Sequence, residues 1–388
     1  MNAGRSRLAA VYALAHGVGE FCTALMLYSM LTGGAVAGWQ IVAYSTLAFG
    51  CPLLFAALAT RRRFAAAAEG QVALAGLVVM ATALLLGRLG PAAIVLLGLG
   101  SALFHIAAGT ATLKIGRPGT GVGVFESTGA IGLAAGALLG GSLGAGAWQG
   151  FADSMWVFLA VAIMLVGGLA ALAWGTPSHP GLGAKLTPSG DTSQTVVASM
   201  TSPWSKLAGW LTGRRLPTSQ SWTLRAGTGM APVMALLALA AISITRSVTG
   251  FSAPQPWKNT AAMVVTASVL VALGRAFGGL MADQAGFAAT GAVAFLGAAA
   301  CLGLSQAWVG LAGVFFLAAT MAPMILGLMA STSSPSLAFG FAQLFQVPAA
   351  FTAGLVFAPG LTQVLLVVCA VLVVAIRPLD YRRSHDSA

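Results

Sequence analysis

About twelve apolar stretches of membrane-spanning length follow one another along this chain of 388 residues. A helix of about 20 residues crosses a hydrocarbon core of roughly 30 Å, so the chain can hold twelve such helices and little else. Backbone groups in lipid must be satisfied within their own segment, which favours helices. Uniform runs such as 72–86 do not alternate as barrel strands do. We therefore predict an all-α membrane protein with twelve transmembrane helices.

One connection between the predicted spans is much longer than the others. The polar residues 176–229 separate six spans from six, which predicts an N-terminal six-helix bundle at 1–175, a linker at 176–229, and a C-terminal six-helix bundle with a short tail at 230–388. Two pseudo-symmetric bundles of this kind are typical of transporters that rock around a central site. The predicted spans are 8–31, 38–59, 68–87, 91–113, 120–146, 151–174, 230–252, 260–282, 287–304, 307–329, 335–357 and 359–377.

The distribution of basic residues predicts the orientation of the chain in the membrane. The formal net charge is +11, and most basic residues fall on one side if the N-terminus is cytoplasmic, whereas the opposite loops hold only Arg88 and Lys258. Because cytoplasmic loops carry the excess of Lys and Arg, we expect both termini in the cytoplasm and a bacterial inner membrane location. The positive charge then meets anionic lipid headgroups, and no nucleic acid partner is expected.

The linker leaves two interpretations open. Trp204, Leu207 and Trp210 recur at helical spacing beside Lys206 and Arg214, which is typical of a basic amphipathic helix at the membrane surface. A disordered tether with chance aromatic residues fits the same composition equally well.

Several functional classes are disfavoured by what the sequence lacks. Each of the four cysteines lies within a predicted span and none forms a CxxC pattern, so neither a disulfide framework nor a zinc site is expected. There is no nucleophile–base constellation and no phosphate-binding loop, so we expect no enzyme and no cofactor. A transient divalent-cation site built from His and Glu side chains remains a minority alternative.

Five of the ionisable residues inside the predicted spans are candidates for function: His16, Glu20, His105, Glu126 and Arg246. Such a side chain costs roughly 2.5–3.5 kcal/mol at mid-bilayer on insertion scales, so it usually faces a wet cavity or a partner. Tyr12, His16, Glu20 and Thr23 share one face of the first helix. We predict that His16 and Glu20 load and release a proton; the alternative is a permanently neutral pair that fixes packing.

Depth along the helices predicts which of these groups meet. Counted from the cytoplasmic ends of their spans, His16, His105 and Glu126 all lie about 9–12 Å deep, and Glu20 lies near 18 Å. In this reading His105 and Glu126 form a pair on adjacent helices, and all four residues take part in proton coupling.

Two further sets of residues are candidates for substrate binding. Arg246 lies beyond the midplane of the seventh span among hydroxyl side chains, where it could bind a carboxylate or phosphonate, or neutralise Glu20. Gln343 and Gln346 precede Pro348 on the eleventh span and suit either a substrate or a neighbouring helix. With Tyr12 and Thr23 these residues complete the predicted binding set.

Three local motifs resemble the major facilitator superfamily. Gly279 to Gly286 resembles its loop pattern G-x-x-x-D-x-x-G, with Asp283 at the acidic position and Arg275 before it. The glycines of the fifth span resemble the antiporter signature of that superfamily, with Ala137 in place of its proline. These glycines are Gly123, Gly132, Gly136, Gly140 and Gly141. Residues 98–105, followed by Phe125 and Glu126, resemble the fosmidomycin-resistance branch of efflux proteins.

The resemblance implies a proton-coupled secondary transporter, most simply a monomer that exports a small organic molecule by proton antiport. Asp283 and Arg275 would then hold the cytoplasmic gate, with Asp283 pairing with an arginine or capping a neighbouring helix, and Gly132, Gly136 and Gly140 would allow close helix packing. Proton symport that imports a small organic anion is the first alternative. A transporter-like scaffold or receptor, with the linker as its binding segment, is the second.

Overall fold

The computed structural model describes most of the predicted spans and only short parts of the linker. The described residues are 3–34, 37–62, 66–86, 91–114, 117–143, 159–164, 166–167, 196–199, 219–222, 230–252, 260–302, 304, 306–332, 334–348 and 359–376.

Five long helices form the described N-terminal half: α1 (Ala3–Thr32), α2 (Gly38–Arg62), α3 (Ala66–Leu85), α4 (Pro91–Leu113) and α5 (Pro118–Leu143). Residues 159–164 are also helical and lie within the sixth predicted span. Proline opens both α4 and α5, at the first helical position, where its missing N–H has no intrahelical partner to lose. These bounds agree with the predicted spans to within a few residues.

Seven helices form the described C-terminal half: α6 (Met230–Ser252), α7 (Ala261–Ala285), α8 (Phe287–Leu302), α9 (Ala307–Ala319), α10 (Met321–Thr332), α11 (Pro335–Leu344) and α12 (Pro359–Ala375). Proline again opens two of them, α11 and α12. With the sixth segment at 159–164, and with α9 and α10 counted as one span, the described helices make twelve membrane segments.

The tenth predicted span is broken into α9 and α10 at Thr320. Pro323 lies in the first turn of α10 and lacks the N–H that would bond to the carbonyl of Ala319, which breaks the helical ladder at that point. The Thr320 hydroxyl instead donates to the carbonyl oxygen of Leu317 at 2.6 Å. The sequence analysis treated this span as a continuous helix and was wrong in that respect.

The eleventh span is interrupted after Leu344. α11 ends at Leu344, residues 345–346 form a turn, and residues 347–348 are helical again. Pro348 contributes to this interruption, because a proline removes the bond to the residue four positions before it, here Leu344. The rest of the predicted span, 349–357, lies outside the described residues.

In the linker the structure describes one element that the sequence did not predict. Strands β1 (Val196–Ser199) and β2 (Ser219–Trp222) pair antiparallel, with Val196 opposite Trp222. The segment proposed as an amphipathic helix, 204–215, lies outside the described residues.

Glycine allows close helix packing within the N-terminal half. α1 lies along α5, and a Cβ added at Gly132, Gly136 or Gly140 would run into the backbone of α1. A larger residue at any of these three positions would therefore require the two helices to move apart.

The halves meet chiefly where α5 packs on α7 and where α2 packs on α11; α10 also contacts α5, and α11 also contacts α4. At the first pair, a Cβ on Gly119 would lie 2.5 Å from the carbonyl oxygen of Gly279, and one on Gly123 would lie 2.7 Å from that of Arg275. The backbones of α5 and α7 are consequently in near contact, so a small shift between the halves changes the polar contacts along this interface.

The outer surface has the character of a membrane protein. Six described helical segments are long and apolar enough to cross a bilayer, and four shorter apolar helices accompany them. Large apolar side chains such as Val293, Trp308 and Val371 are more than 60% exposed, as expected of groups that face lipid. All four cysteines are free, in agreement with the sequence analysis. The chain is a multi-pass membrane protein.

Candidate functional site

Three ionisable side chains meet between α1 and α4. Nε2 of His16 lies 2.9 Å from Nε2 of His105, and Oε1 of Glu20 lies 3.4 Å from the same atom of His105. All three residues are at most 5% exposed. The two rings meet edge to face, with centroids 4.6 Å apart. This group, which we call the His–His–Glu cluster, lies in the N-terminal half.

α5 holds the ring of His16 in position. Its Nδ1 donates to the carbonyl oxygen of Phe125 at 2.7 Å, and its ring stacks on that of Phe125 with centroids 4.0 Å apart. The ring also lies against Gly129, where any Cβ would overlap it. The missing side chain at Gly129 is therefore what lets an imidazole reach a helical carbonyl.

α4 holds the ring of His105 by a bond within one helical turn. Its Nδ1 donates to the carbonyl oxygen of Ser101 at 2.8 Å, and the Ser101 hydroxyl is 3.1 Å from the same nitrogen. Tyr44 of α2 donates to that hydroxyl at 3.4 Å. Both imidazoles are thus oriented through Nδ1, which leaves both Nε2 atoms directed at each other.

The cluster also has the atom types of a metal site. One ligand atom from each of His16, Glu20 and His105 lies within 4.8 Å of the others. Among the residues that the structure describes, no fourth His, Cys, Asp or Glu joins this set. Structural zinc sites take four protein ligands, so this set would leave at least one position open.

Glu126 forms a second polar group, which bridges the halves. Arg275 of α7 donates from Nη1 to the carboxylate at 3.2 Å and to the backbone carbonyl oxygen of Glu126 at 2.8 Å. Gln343 of α11 donates to the other carboxylate oxygen at 3.2 Å, and Gln346 donates to Gln343 at 3.0 Å. The carboxylate of α5 is therefore bound by two helices of the C-terminal half.

The predicted pair between His105 and Glu126 is not formed. Side chains on a helix lean toward its N-terminus, and α1 and α5 run opposite to α4. Glu20 therefore leans back to the level of His16, while His105 leans toward Glu20, and Glu126 leans away from both. The depth estimate compared Cα positions only and missed these directions.

Asp283 joins the end of α7 to the start of α5. Its carboxylate accepts from the backbone N–H of Gly119 at 2.8 Å and from both the N–H and the hydroxyl of Thr120 at 2.7 Å. Of the two roles that the sequence analysis allowed, capping of a neighbouring helix is the one observed. Arg275 binds Glu126, and the joint role of Asp283 and Arg275 in a cytoplasmic gate stays a prediction.

Among the described residues, no hydrogen bond or ion pair joins Arg246 to these groups, although its charge is close enough to interact with those of Glu126 and Arg275. It is 91% buried, and its Nε has no hydrogen-bond partner in the described part of the chain. The hydroxyls of Ser243 and Ser247, one turn apart on the same helix face, also have none. Within the described ranges no ion pair joins Arg246 to Glu20, so neutralisation of Glu20 is not observed.

Of the remaining predicted binding residues, Tyr12, Thr23 and Gln343 are buried and Gln346 is half-buried. The hydroxyl of Tyr12 lacks a partner among the described residues. Gln343 contacts Glu126 of α5, which is the neighbouring-helix alternative of the sequence analysis, and Gln346 contacts Gln343.

The sequence matches no model of a protein family and no curated protein. Solved structures do match. The Escherichia coli fucose:proton symporter FucP in its N162A form is 13% identical, with a TM-score of 0.58, over 95% of this chain and 97% of that chain. A FucP structure described as outward in conformation has a TM-score of 0.60 at the same identity and coverage.

The human organic anion transporter MFSD10 (TETRAN) has a TM-score of 0.61 at 15% identity, over 96% of this chain and 98% of that chain. The chain has the major facilitator fold. In major facilitator terms, its two lobes meet where α5 contacts α7 and α10 and where α11 contacts α2 and α4. The fosmidomycin-resistance resemblance is not reproduced among these neighbours.

Sequence reasoning missed several residues that contact the buried ionisable side chains. Ser101, Phe125 and Gly129 orient the imidazoles, mostly through backbone atoms that carry no residue-specific signal. Arg275 could have been recognised from the sequence, since it is a second arginine within a predicted span. Because it precedes the loop motif, the sequence analysis assigned it to the gate instead.

Proposed function

We propose that this chain is a proton-coupled secondary transporter that exports a small organic molecule by antiport with protons. Bundles at 1–175 and 230–388, joined by the linker at 176–229, would rock about the buried polar groups described above. Glu20, His16, His105 and Glu126 are the proposed proton-coupling residues. The chain would act as a monomer in a bacterial inner membrane with both termini cytoplasmic.

One observation carries this proposal: Glu126, a group that can take up a proton, is bound by Arg275 and Gln343 of the opposite half. Protonation removes the charge that holds Arg275, which weakens the contact between α5 and α7. Transport requires that a ligand bind two states unequally, and a proton on Glu126 would do so by favouring separation of the halves at this interface.

The cycle follows from which side is closed. α5 begins and α7 ends on the side of the N-terminus, and Asp283 joins them there. With that side cytoplasmic, the described state is closed toward the cytoplasm. A proton entering from outside would reach Glu126, release Arg275 and allow opening inward, where substrate exchanges for the proton.

Arg246 is the proposed substrate anchor, with Tyr12, Thr23, Gln343 and Gln346 around the same route. A buried guanidinium with unused donors beside two hydroxyls without partners suits a carboxylate or phosphonate. This chemistry also favours the first alternative, symport that imports an organic anion. In the second alternative, a scaffold or receptor, the linker binds a partner and no flux occurs.

Proteoliposomes that contain the pH dye pyranine separate these functions. Fosmidomycin, benzoate or tetraphenylphosphonium is added outside, and protein-free vesicles correct for passive entry. Antiport makes the lumen more alkaline, symport makes it more acidic, and a scaffold leaves it unchanged.

The matched variants are Glu20→Gln and Glu126→Gln, with Glu69→Gln as the control. Glu69 pairs with the largely exposed Lys114 within the N-terminal half. We expect loss of proton movement in the first two variants and wild-type movement in the control. Wild-type rates in both buried variants would end the proposal.

A further inference from the structure

The two imidazoles of the His–His–Glu cluster impose a condition on each other. A carbonyl oxygen only accepts hydrogen bonds, and Nδ1 of His105 lies closer to the carbonyl oxygen of Ser101, at 2.8 Å, than to the Ser101 hydroxyl, at 3.1 Å. We therefore assign a hydrogen to the Nδ1 atoms that contact Phe125 and Ser101. In a neutral ring the other nitrogen, Nε2, is then bare. Two neutral rings would place two lone pairs against each other at 2.9 Å.

Such a contact requires a cation between the rings. A proton fits the distance, because 2.9 Å is the usual length of a hydrogen bond donated by nitrogen. Zinc fits it less well, since two nitrogens each about 2.0–2.1 Å from a tetrahedral zinc ion lie about 3.3 Å apart. The observed distance therefore favours a proton over a metal ion.

We propose that His16 and His105 bind one shared proton between their Nε2 atoms, with Glu20 as the counter-charge. The pair then carries one positive charge, and the carboxylate of Glu20 lies 3.4 Å from Nε2 of His105. Loss of the proton brings the lone pairs into opposition and drives the rings apart. Since one ring is on α1 and the other on α4, the proton holds these two helices together.

The other groups around the pair are compatible with one added charge. Tyr44 of α2 donates to the Ser101 hydroxyl and lies close enough to Glu20 to interact with its charge, and Phe49 and Phe104 present apolar rings to the pair. Glu126 of α5 and Arg275 of α7 act on the cluster through their charges, and these are opposite and bonded to each other. Glu20 is thus the carboxylate left to balance the shared proton.

This inference rests on the proposed function and refines it, because it assigns one proton to two histidines where the sequence analysis treated them separately. The chain contains four histidines, and His179 and His385 fall outside the described residues. A background variant, H179Q/H385Q, therefore leaves only the pair for spectroscopy.

The decisive measurement is nitrogen-15 NMR of this background, labelled at histidine, in lipid at pH 6. We expect three protonated ring nitrogens out of four and a coupling between the two Nε2 atoms across the hydrogen bond. The shared proton would be overturned if neither Nε2 atom carries a hydrogen, or if each carries its own and no coupling joins them.

Proton counting by pH jump from pH 5 to pH 9 gives an independent check. In the same background, His16→Gln and His105→Gln should each release one proton per chain fewer than the parent, and the double variant should also release one fewer. A double variant that releases two protons fewer would contradict sharing. If the purified chain holds one zinc ion, and His105→Gln no longer holds it, the cation between the rings is a metal ion and the shared proton is contradicted.

The outcomes remain separable from the transport proposal. Proton movement in the pyranine vesicles without the Nε2 coupling would remove the shared proton and leave coupled transport standing. Coupling without any proton movement would retain the shared proton as a structural bond and remove coupled transport.

Discussion

Arg275 of α7 binds Glu126 of α5 twice, through the carboxylate at 3.2 Å and through the backbone carbonyl oxygen at 2.8 Å. Removal of the carboxylate breaks only one of these bonds. With Glu126 protonated, Arg275 loses its ion pair and keeps only the bond to the main chain of α5, which weakens the contact between the two halves.

Replacement of either member of this pair should destabilise the protein. Glu126→Gln or Arg275→Met leaves a charge without its partner in a largely buried site, which costs roughly 3–5 kcal/mol. The double variant removes both charges and should lose clearly less than the sum of the two. The midpoint of thermal unfolding in detergent measures this, and additive losses would contradict a direct ion pair.

Asp283→Ala should loosen the junction between α7 and α5. It removes the acceptor for three donors, and loss of a helix cap costs roughly 0.5–2 kcal/mol. Thr120→Val removes one donor of the three and should cost less. Both are compared by thermal unfolding with Glu69→Ala, which breaks a pair with an exposed lysine and should have little effect.

Gly129→Ala should displace the ring of His16. The added Cβ would overlap the imidazole, and an extra methyl group in a tight core costs roughly 1–3 kcal/mol. Gly141→Ala on the same helix meets nothing within 4 Å and is the matched control. We expect reduced proton movement in the pyranine vesicles and a lower unfolding midpoint for the first variant alone. Equal proton movement and equal unfolding midpoints in the two variants would contradict a role for Gly129 in positioning His16.

Arg246→Met should abolish stabilisation by anions. A ligand that binds only the folded protein adds about 2.7 kcal/mol of stability at a concentration of 100 times its Kd. Fosmidomycin or benzoate should therefore raise the unfolding midpoint of the wild type and leave that of Arg246→Met unchanged, while Arg246→Lys retains part of the shift. An equal shift in wild type and Arg246→Met would place the anion elsewhere.

Much of the fold could be predicted because the membrane imposes length and hydropathy on each span. The bounds of α4 and α6 agree with the predicted spans, and most of the other described helices begin or end within a few residues of them, in either direction. The break at Thr320 was predictable from Pro323, but hydropathy alone ignores the missing N–H.

The site was harder to predict because it depends on direction as well as depth. Burial of His16, Glu20, His105 and Glu126 followed from their sequence positions, and all four are buried. Their partners depended on the lean of side chains on antiparallel helices. The tight approach of His16 to α5 depended on one missing methyl group at Gly129, which does not stand out among 50 glycines.

The carboxylate of Asp283 accepts hydrogen bonds from main-chain amides, which every amino acid except proline supplies. A change of residue at position 120 would therefore leave the hydrogen bond from its amide intact. Position 119 is different, because a Cβ there would lie 2.5 Å from the carbonyl oxygen of Gly279 and 2.7 Å from the carboxylate of Asp283. Exchange of the acid at 283 would remove all three bonds, so any variant that frees the two lobes should be sought first at positions 119 and 283.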